Sequence, residues 1–245
     1  MAKRDKDGRI VAPVPRFIFN SSPINYALAV FLHGDLSHFL QSTDPTHGPG
    51  FGPGRGRASN LLDLVERCFG GKCRTPEDEA MVMSDIEKWD ANMPEALIAP
   101  VVSMLEAAVS KDHFAASALA ARAAMFRVSR RQLLRKLVEH PSGYLVELFG
   151  CMPSGSYYTS LVNTEANNIL LTGHVIDRVS RETEYTQSGV VTELKDLARD
   201  YLISYGDNQI FSERIFKHFG LRYDPVQHAE FLARFGMTLK VEETE

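Results

Sequence analysis

The stretch YLISYGDNQIFS, residues 201–212, decides how the rest of the chain reads. Two runs rich in β-branched and aromatic residues flank Gly206-Asp207-Asn208, a pattern that predicts a β-hairpin with the glycine at its turn. One carboxylate, Asp207, and one carboxamide, Asn208, then sit at the hairpin tip. Upstream, Ala80–Asp85 is a short apolar run that predicts a buried strand ending in a carboxylate. Helices are expected over Pro23–Leu40, Asn60–Cys68, Pro94–Val109, Phe114–Val138, Tyr157–Ile176, Val191–Arg199 and Pro225–Phe235. Tyr144–Gly150 reads as extended, and Met237–Val241 begins a further strand. This order predicts an α+β fold with helices packed on one face of an antiparallel sheet.

The chain has 245 residues, 44% hydrophobic and 24% charged, enough to bury a sizeable core. Its net charge is −4, with a pI near 6.1, so no global basic field advertises a polyanionic partner. Positive charge is local. Lys3, Arg4, Lys6, Arg9 and Arg16 crowd the start, and Arg127, Arg130, Arg131, Arg135 and Lys136 crowd the middle. Such runs are ordinarily solvated faces. Three cysteines, Cys68, Cys73 and Cys151, argue against a disulfide framework and for a reducing compartment. No second Cys/His pair completes a zinc ligand set, so they read as ordinary thiols. The start MAKRDKDGRI is followed by no signal-type apolar segment, and no apolar run reaches membrane-spanning length, so a cytoplasmic protein is expected. Residues 44–57, DPTHGPGFGPGRGR, form a loop.

Three constellations carry chemistry. Asp85 ends the expected strand and Asp90 follows five residues later, at a helix start. Ser154-Gly155 precedes a long helix carrying Thr159 and Asn163. Asp207-Asn208 occupies the hairpin tip. If the strands of Asp85 and Asp207 are neighbours, the two carboxylates can hold a pair of Mg²⁺ ions about 3.5–4 Å apart, an arrangement suited to phosphoryl transfer. Each piece alone has an ordinary reading. An Asp in a turn is turn chemistry, Ser154 is a helix cap, and Asn163 is a polar surface residue.

Taken together, the pieces resemble a family. PSGSYYTSLVNTEANN, residues 153–168, resembles motif B of picornavirus-like RNA-dependent RNA polymerases: Ser154-Gly155, Thr159 four residues after the glycine, Asn163 four further on. DIEKWD, residues 85–90, is similar to motif A, and YGDN, residues 205–208, stands in the place of motif C. Pro15-Arg16-Phe17-Ile18 and Lys3-Arg4 resemble the basic motif F, and Phe235–Leu239 resembles motif D, with Lys240 beside it. Motif C ends Asn208-Gln209 where a second aspartate is usual, the form found in polymycovirus-type and non-segmented negative-strand polymerases. With motifs A and B, it points to the polymycovirus side.

The resemblance implies a polymerase palm with partial fingers and no thumb: a fingers segment over 1–79, and a palm over 80–245 with a fingers insertion at about 111–145. It implies Asp85 and Asp207 as metal ligands for Mg²⁺ or Mn²⁺, and Asn208 as a neutral third group. Asp90 and Asn163 would read the ribose 2′-hydroxyl, assisted by Thr159. Ser154 and Gly155 would form a mobile loop, and Arg16 would meet the triphosphate. RNA template, nascent RNA and ribonucleoside triphosphates are the implied partners, in the host cytoplasm, with the thumb and remaining fingers supplied either by a longer polymerase of which this is a fragment or by a second chain. Two rivals stand beside this reading. A reverse transcriptase shares the palm, but the Asp90/Asn163 pair suits a ribonucleotide. A non-catalytic palm serving RNA binding or assembly is favoured by the missing second carboxylate.

Overall fold

The computed structural model describes residues 18–50, 62–63, 66, 81–111 and 114–240. Lys3, Arg4, Arg16, Cys68, Cys73, the glycine-rich stretch 51–57 and most of the Asn60–Cys68 helix lie outside the described residues.

A four-stranded antiparallel sheet organises the molecule. Its strands are β1 (Met81–Ile86), β4 (Leu202–Tyr205), β5 (Asn208–Ser212) and β6 (Leu239–Lys240), in the order β4-β5-β1-β6. A separate hairpin pairs β2 (Arg135–Glu139) with β3 (Leu145–Phe149). Eight helices belong to the described residues: α1 (Pro23–Thr43), α2 (Trp89–Asn92), α3 (Glu95–Ala108), α4 (Ala116–Leu134), α5 (Tyr158–Glu182), α6 (Gln187–Tyr201), α7 (Arg214–Lys217) and α8 (Pro225–Ala233). The antiparallel sheet packed on helices is the α+β arrangement that the sequence predicts.

Local chemistry sets the boundaries. Thr186 caps α6 by accepting the Gly189 N–H at 3.2 Å. Asp224 caps α8 by accepting the Val226 and Gln227 N–H groups at 2.8 and 3.3 Å, and Pro225 occupies the first turn, where no N–H is needed. The expected Phe114–Val138 helix stops at Leu134, and its last residues enter β2 instead. Leu137 and Val138 pair there with Glu147 and Val146, so strand pairing overrides the local helical preference. Helix α5 runs beyond its expected end to Glu182, and Tyr201 closes α6 rather than opening β4.

Helix α5 is the central beam. Every residue from Leu161 to Asn167 is buried. Its N-terminal half joins Trp89, Met93, Ile98, Val101, Leu133 and Leu232 in one apolar cluster. Its C-terminal half joins Val190, Leu194, Phe211, Ile215 and Phe216 in a second. Between these clusters the sheet lays a row of polar side chains against the helix, and that row holds the β4–β5 hairpin in place.

Candidate active site

Alternation along the strands sorts the site into two rows. Ser84 pairs with Gln209, and Gln209 pairs with Ser204. All three are buried on the face turned to α5. Gln209 is 2% exposed. Its carboxamide donates to Ser204 Oγ at 2.9 Å and to the Asn167 carbonyl at 3.1 Å, and it accepts from Ser84 Oγ at 3.4 Å. The last residue of the GDNQ segment is thus a cross-link between two strands and a helix.

The next row faces the other way. Asp85 pairs with Asn208 on one side and Lys240 on the other, and Asn208 pairs with Tyr205. Tyr205 and Asn208 are exposed, and Asp85 is half-buried. Asp207 is therefore next in the chain to the register partner of Asp85. Gly206, at φ 63°, takes the first of the two turn positions, as a type II′ hairpin requires. Two side chains of α5 grip this glycine: the Gly206 N–H donates to Thr164 Oγ1 at 2.9 Å, and Asn167 Nδ2 donates to the Gly206 carbonyl at 3.2 Å. The backbone of the tip is fixed while its carboxylate stays uncommitted, save for a 3.3 Å contact from Asn208 Nδ2.

Lys240 places its ammonium on Asp85 Oδ2. That hydrogen bond, with the charges of Asp85, Glu87 and Asp207, raises the Lys240 pKa above the usual lysine range. A cation thus already rests among the carboxylates of this edge. Among the described residues no group of three or more His, Cys, Asp or Glu side chains is arranged to hold a metal ion. The hard oxygen donors that the register brings to this edge, on the face turned away from α5, are Asp85 and Asp207.

A turn separates Asp85 from Asp90. Lys88 takes a left-handed conformation, φ 50° and ψ 41°, which ends the strand and starts α2. Trp89, 2% exposed, pins the turn into the core. Asp90 consequently leaves the sheet edge and meets α5. Asn163 Nδ2 donates to its Oδ1 at 2.9 Å, and Ser154 Oγ donates to its Oδ2. The Met152 N–H donates to the Asp90 carbonyl at 2.7 Å, closing the loop onto the same residue. Asn163 Oδ1 is buried and has no hydrogen-bond partner among the described residues, leaving one acceptor unused beside Asp90. Thr159 does not join this group. Its hydroxyl donates to the Ser156 and Pro153 carbonyls at 2.9 and 3.2 Å, which braces the loop before α5.

Gly155, at φ 100°, cannot be replaced freely. A Cβ there would lie 2.9 Å from the Phe19 carbonyl and 3.1 Å from Ile18 Cγ2. The Phe19 N–H donates to the Ser154 carbonyl at 2.8 Å, so the segment following Arg16 lies along the Ser154-Gly155 loop. Arg16 itself is outside the described residues.

A further contributor carries no plain signal in the sequence. Thr46-His47-Gly48, read as loop, flanks the hairpin: His47 forms a parallel bridge with Ser204, and the Gly48 N–H donates to the Ser204 carbonyl at 2.8 Å. A Cβ at Gly48 would stand 2.6 Å from that carbonyl, so only glycine allows this approach. His47, fully buried, bonds through Nδ1 to Glu165 Oε1 at 2.9 Å and ties this edge to α5. The glycine of DPTHGPG was the available signal, because glycine marks close backbone approach as well as turns.

No curated protein matches the chain in sequence. Solved structures that match the fold include the RNA-dependent RNA polymerase of a human picobirnavirus and an insertion-loop deletion mutant of it. The mutant has a TM-score of 0.63 and 13% identity, covering 93% of this chain and 37% of its own. The parent polymerase has a TM-score of 0.63 and 13% identity, covering 92% of this chain and 36% of its own. The chain thus spans little more than a third of the length of these polymerases. The family of viral RNA-dependent RNA polymerases matches residues 59–243, which take in the Asp85 strand, the Asp90–Asn163 contact and the Gly206-Asp207 hairpin. The chain belongs to the viral RNA-dependent RNA polymerase family.

Proposed function

We propose that this chain carries the nucleotidyl-transfer site of an RNA-directed RNA polymerase, built on Asp85 and Asp207, with Asp90 and Asn163 selecting the ribose. The observation that carries the reading is the sheet register. It sets Asp85 opposite Asn208 on the open face, while α5 holds Gly206 by both its N–H and its carbonyl. Bound Mg²⁺ or Mn²⁺ would supply activation of the attacking 3′-hydroxyl and neutralisation of triphosphate charge. Asp85 and Asp207 are the residues that would hold these ions. Asn208 offers a neutral oxygen and weakens the site relative to one with a third carboxylate.

Asp90 offers its carboxylate as an acceptor to a donor, which is what a 2′-hydroxyl brings and a deoxyribose lacks. Ser154 and Asn163, both bonded to Asp90, keep its carboxylate oriented toward that task. Ser154 and Gly155 we assign to a mobile loop, whose shift would release the Ser154 donor from Asp90 while Asn163 stays on its helix. Arg16 we assign to the triphosphate. On this reading residues 1–79 belong to the fingers and 80–245 to the palm. A thumb and the remaining fingers come from further sequence or a second chain. The enzyme acts on the viral genome in the host cytoplasm, and its GDNQ segment groups it with polymycovirus-type polymerases.

Primer extension on an RNA template with Mg²⁺ or Mn²⁺, paired with Mn²⁺ binding followed by electron paramagnetic resonance, tests this. Asp207→Ala should abolish incorporation and weaken Mn²⁺ binding while leaving the fold intact. Retained incorporation would overturn the assignment. Mn²⁺ binding without incorporation, in wild type as in the variant, would favour a palm that binds RNA without catalysis.

A further inference from the structure

A buried polar pair lies beside the hairpin, outside the row of carboxylates. Strand β4 is an outer strand of its sheet, in the order β4-β5-β1-β6, and an outer strand presents unpaired main-chain groups. Residues 46–48 cover that edge at one point. The Ser204 N–H donates to the Thr46 carbonyl at 3.0 Å, and the Gly48 N–H donates to the Ser204 carbonyl at 2.8 Å. His47, between them, is fully buried and donates through Nδ1 to Glu165 Oε1 at 2.9 Å. Its Nε2 is buried with no hydrogen-bond partner among the described residues, so Glu165 is the polar anchor of the ring. The segment itself is stiff. Asp44 Oδ1 accepts the Thr46 N–H at 2.9 Å and the Thr46 hydroxyl at 2.8 Å, and Asn168 Nδ2 donates to Thr46 Oγ1 at 3.2 Å.

The level at which the pair sits gives it a role. Glu165 lies on α5 between Thr164 and Asn167, the two residues that hold Gly206. Ser204 lies on β4 just before that glycine. His47 therefore spans from helix to strand at the height where the helix grips the tip. A buried polar pair gains little net stability over an apolar pair of similar volume, and what it can supply instead is register. We infer that His47 is a positioning residue for the hairpin tip: through Glu165 it sets the height of Ser204 against α5, and with it the seat of Gly206 and the placement of Asp207 beside Asp85. The consequence for metal binding rests on the proposed role of Asp207, whereas the seat of the tip does not.

The test uses the whole chain and separates stability from placement. His47→Leu combined with Glu165→Leu removes both polar partners and strands neither, so Tm should stay within about 3 °C of wild type. Amide hydrogen exchange at Ser204 and Gly206, followed by nuclear magnetic resonance, should nevertheless accelerate on the order of tenfold. Mn²⁺ affinity, followed by electron paramagnetic resonance, should fall on the order of tenfold, as when a residue supporting a metal ligand is lost. His47→Asn keeps an N–H donor near the place of Nδ1 and should hold both values within about threefold of wild type. Wild-type exchange in the double variant would overturn the inference. So would wild-type Mn²⁺ affinity there while Asp207→Ala loses the ion. A His47→Asn variant as impaired as the double variant would also overturn it, because the hydrogen bond would then not be what seats the tip. Accelerated exchange, beside an Asp207→Ala variant that binds Mn²⁺ as wild type does, would uphold the positioning role and sink the metal assignment alone.

Discussion

Asp90 and Asp85 lie five residues apart, yet the molecule treats them in opposite ways. Asp90 is met by two protein donors, Asn163 and Ser154, and its backbone carbonyl by a third, Met152. Asp85 stands on an open face with one flexible lysine against it, and its neighbour Asp207 has only a long contact from Asn208. A carboxylate held by short, fixed donors is an oriented acceptor, fit for recognising a hydroxyl. Carboxylates left to water and a mobile ammonium are fit to exchange that company for a metal ion. The left-handed turn at Lys88 separates the two environments.

The largest effect should come from the exposed side of this contrast. Asp207→Ala removes half of the proposed carboxylate pair, and losing several kcal/mol of charge stabilisation corresponds to a fall of roughly 10³-fold or more in incorporation rate. Because Asp207 contributes little to packing, the melting temperature should stay within about a degree of wild type. A rate loss accompanied by a large stability loss would mean the hairpin tip is structural.

The enclosed side should respond in selectivity. Asp90→Ala removes the acceptor that orients Asn163 and strands the Ser154 and Asn163 donors. The preference for ribonucleotides over deoxyribonucleotides should fall on the order of 10²-fold, because a site built to bond a hydroxyl rejects the analogue lacking it. Competition between the two nucleotide types in single-turnover extension reads this directly. An unchanged ratio with slower incorporation would make Asp90 a loop anchor only.

Between the two sites lies Gln209, and it tests whether the contrast depends on a common scaffold. Gln209→Leu keeps the volume but leaves Ser84, Ser204 and the Asn167 carbonyl without their shared partner. Buried polar groups deprived of partners should cost about 2–4 kcal/mol together, a drop of roughly 5–12 °C in Tm. Thermal unfolding by circular dichroism measures it. A loss below about 1 kcal/mol would show that water replaces the carboxamide.

Much of the frame was legible in the sequence because it is local. The YGDN hairpin announces itself through flanking β-rich runs, and β1 through an apolar run ending in Asp85. The contact between Asp90 and Asn163 followed from the resemblance, and the two residues meet at 2.9 Å. What was not legible depends on long-range pairing. Arg135–Glu139 continues a helical composition and becomes a strand because Leu145–Phe149 is there to pair with it. His47 and Gly48 read as loop because nothing nearby signals a bridge to Ser204, far along the chain. Thr164 and Asn167 lie in the motif B stretch, but their grip on Gly206 has no local signal, because only the folded hairpin brings that glycine to them. Thr159 was expected beside the ribose selector and instead braces the loop, since its hydroxyl reaches backbone carbonyls of its own turn first.

Lys240 sharpens the contrast at its weakest point. Its ammonium and a divalent ion compete for Asp85, so removing the ammonium should strengthen metal binding. The size of that gain follows from exposure. The two side chains are 45% and 36% exposed, and an ion pair so open to solvent is worth no more than about 1 kcal/mol. Lys240→Met should therefore raise Mn²⁺ affinity only about two- to fivefold. Methionine replaces the apolar stem and leaves out the ammonium, so β6 should keep its pairing with Asp85 and Ile86. Electron paramagnetic resonance of Mn²⁺ titrated into wild type and variant at fixed ionic strength resolves a change of this size. Added salt should shrink the difference, because it screens the lysine more than the bound ion. Weaker binding in the variant would mean that Lys240 orients Asp85 for the metal rather than standing in its place. The open carboxylate would then be as organised by protein contacts as Asp90 is, and the contrast between the two aspartates would fail.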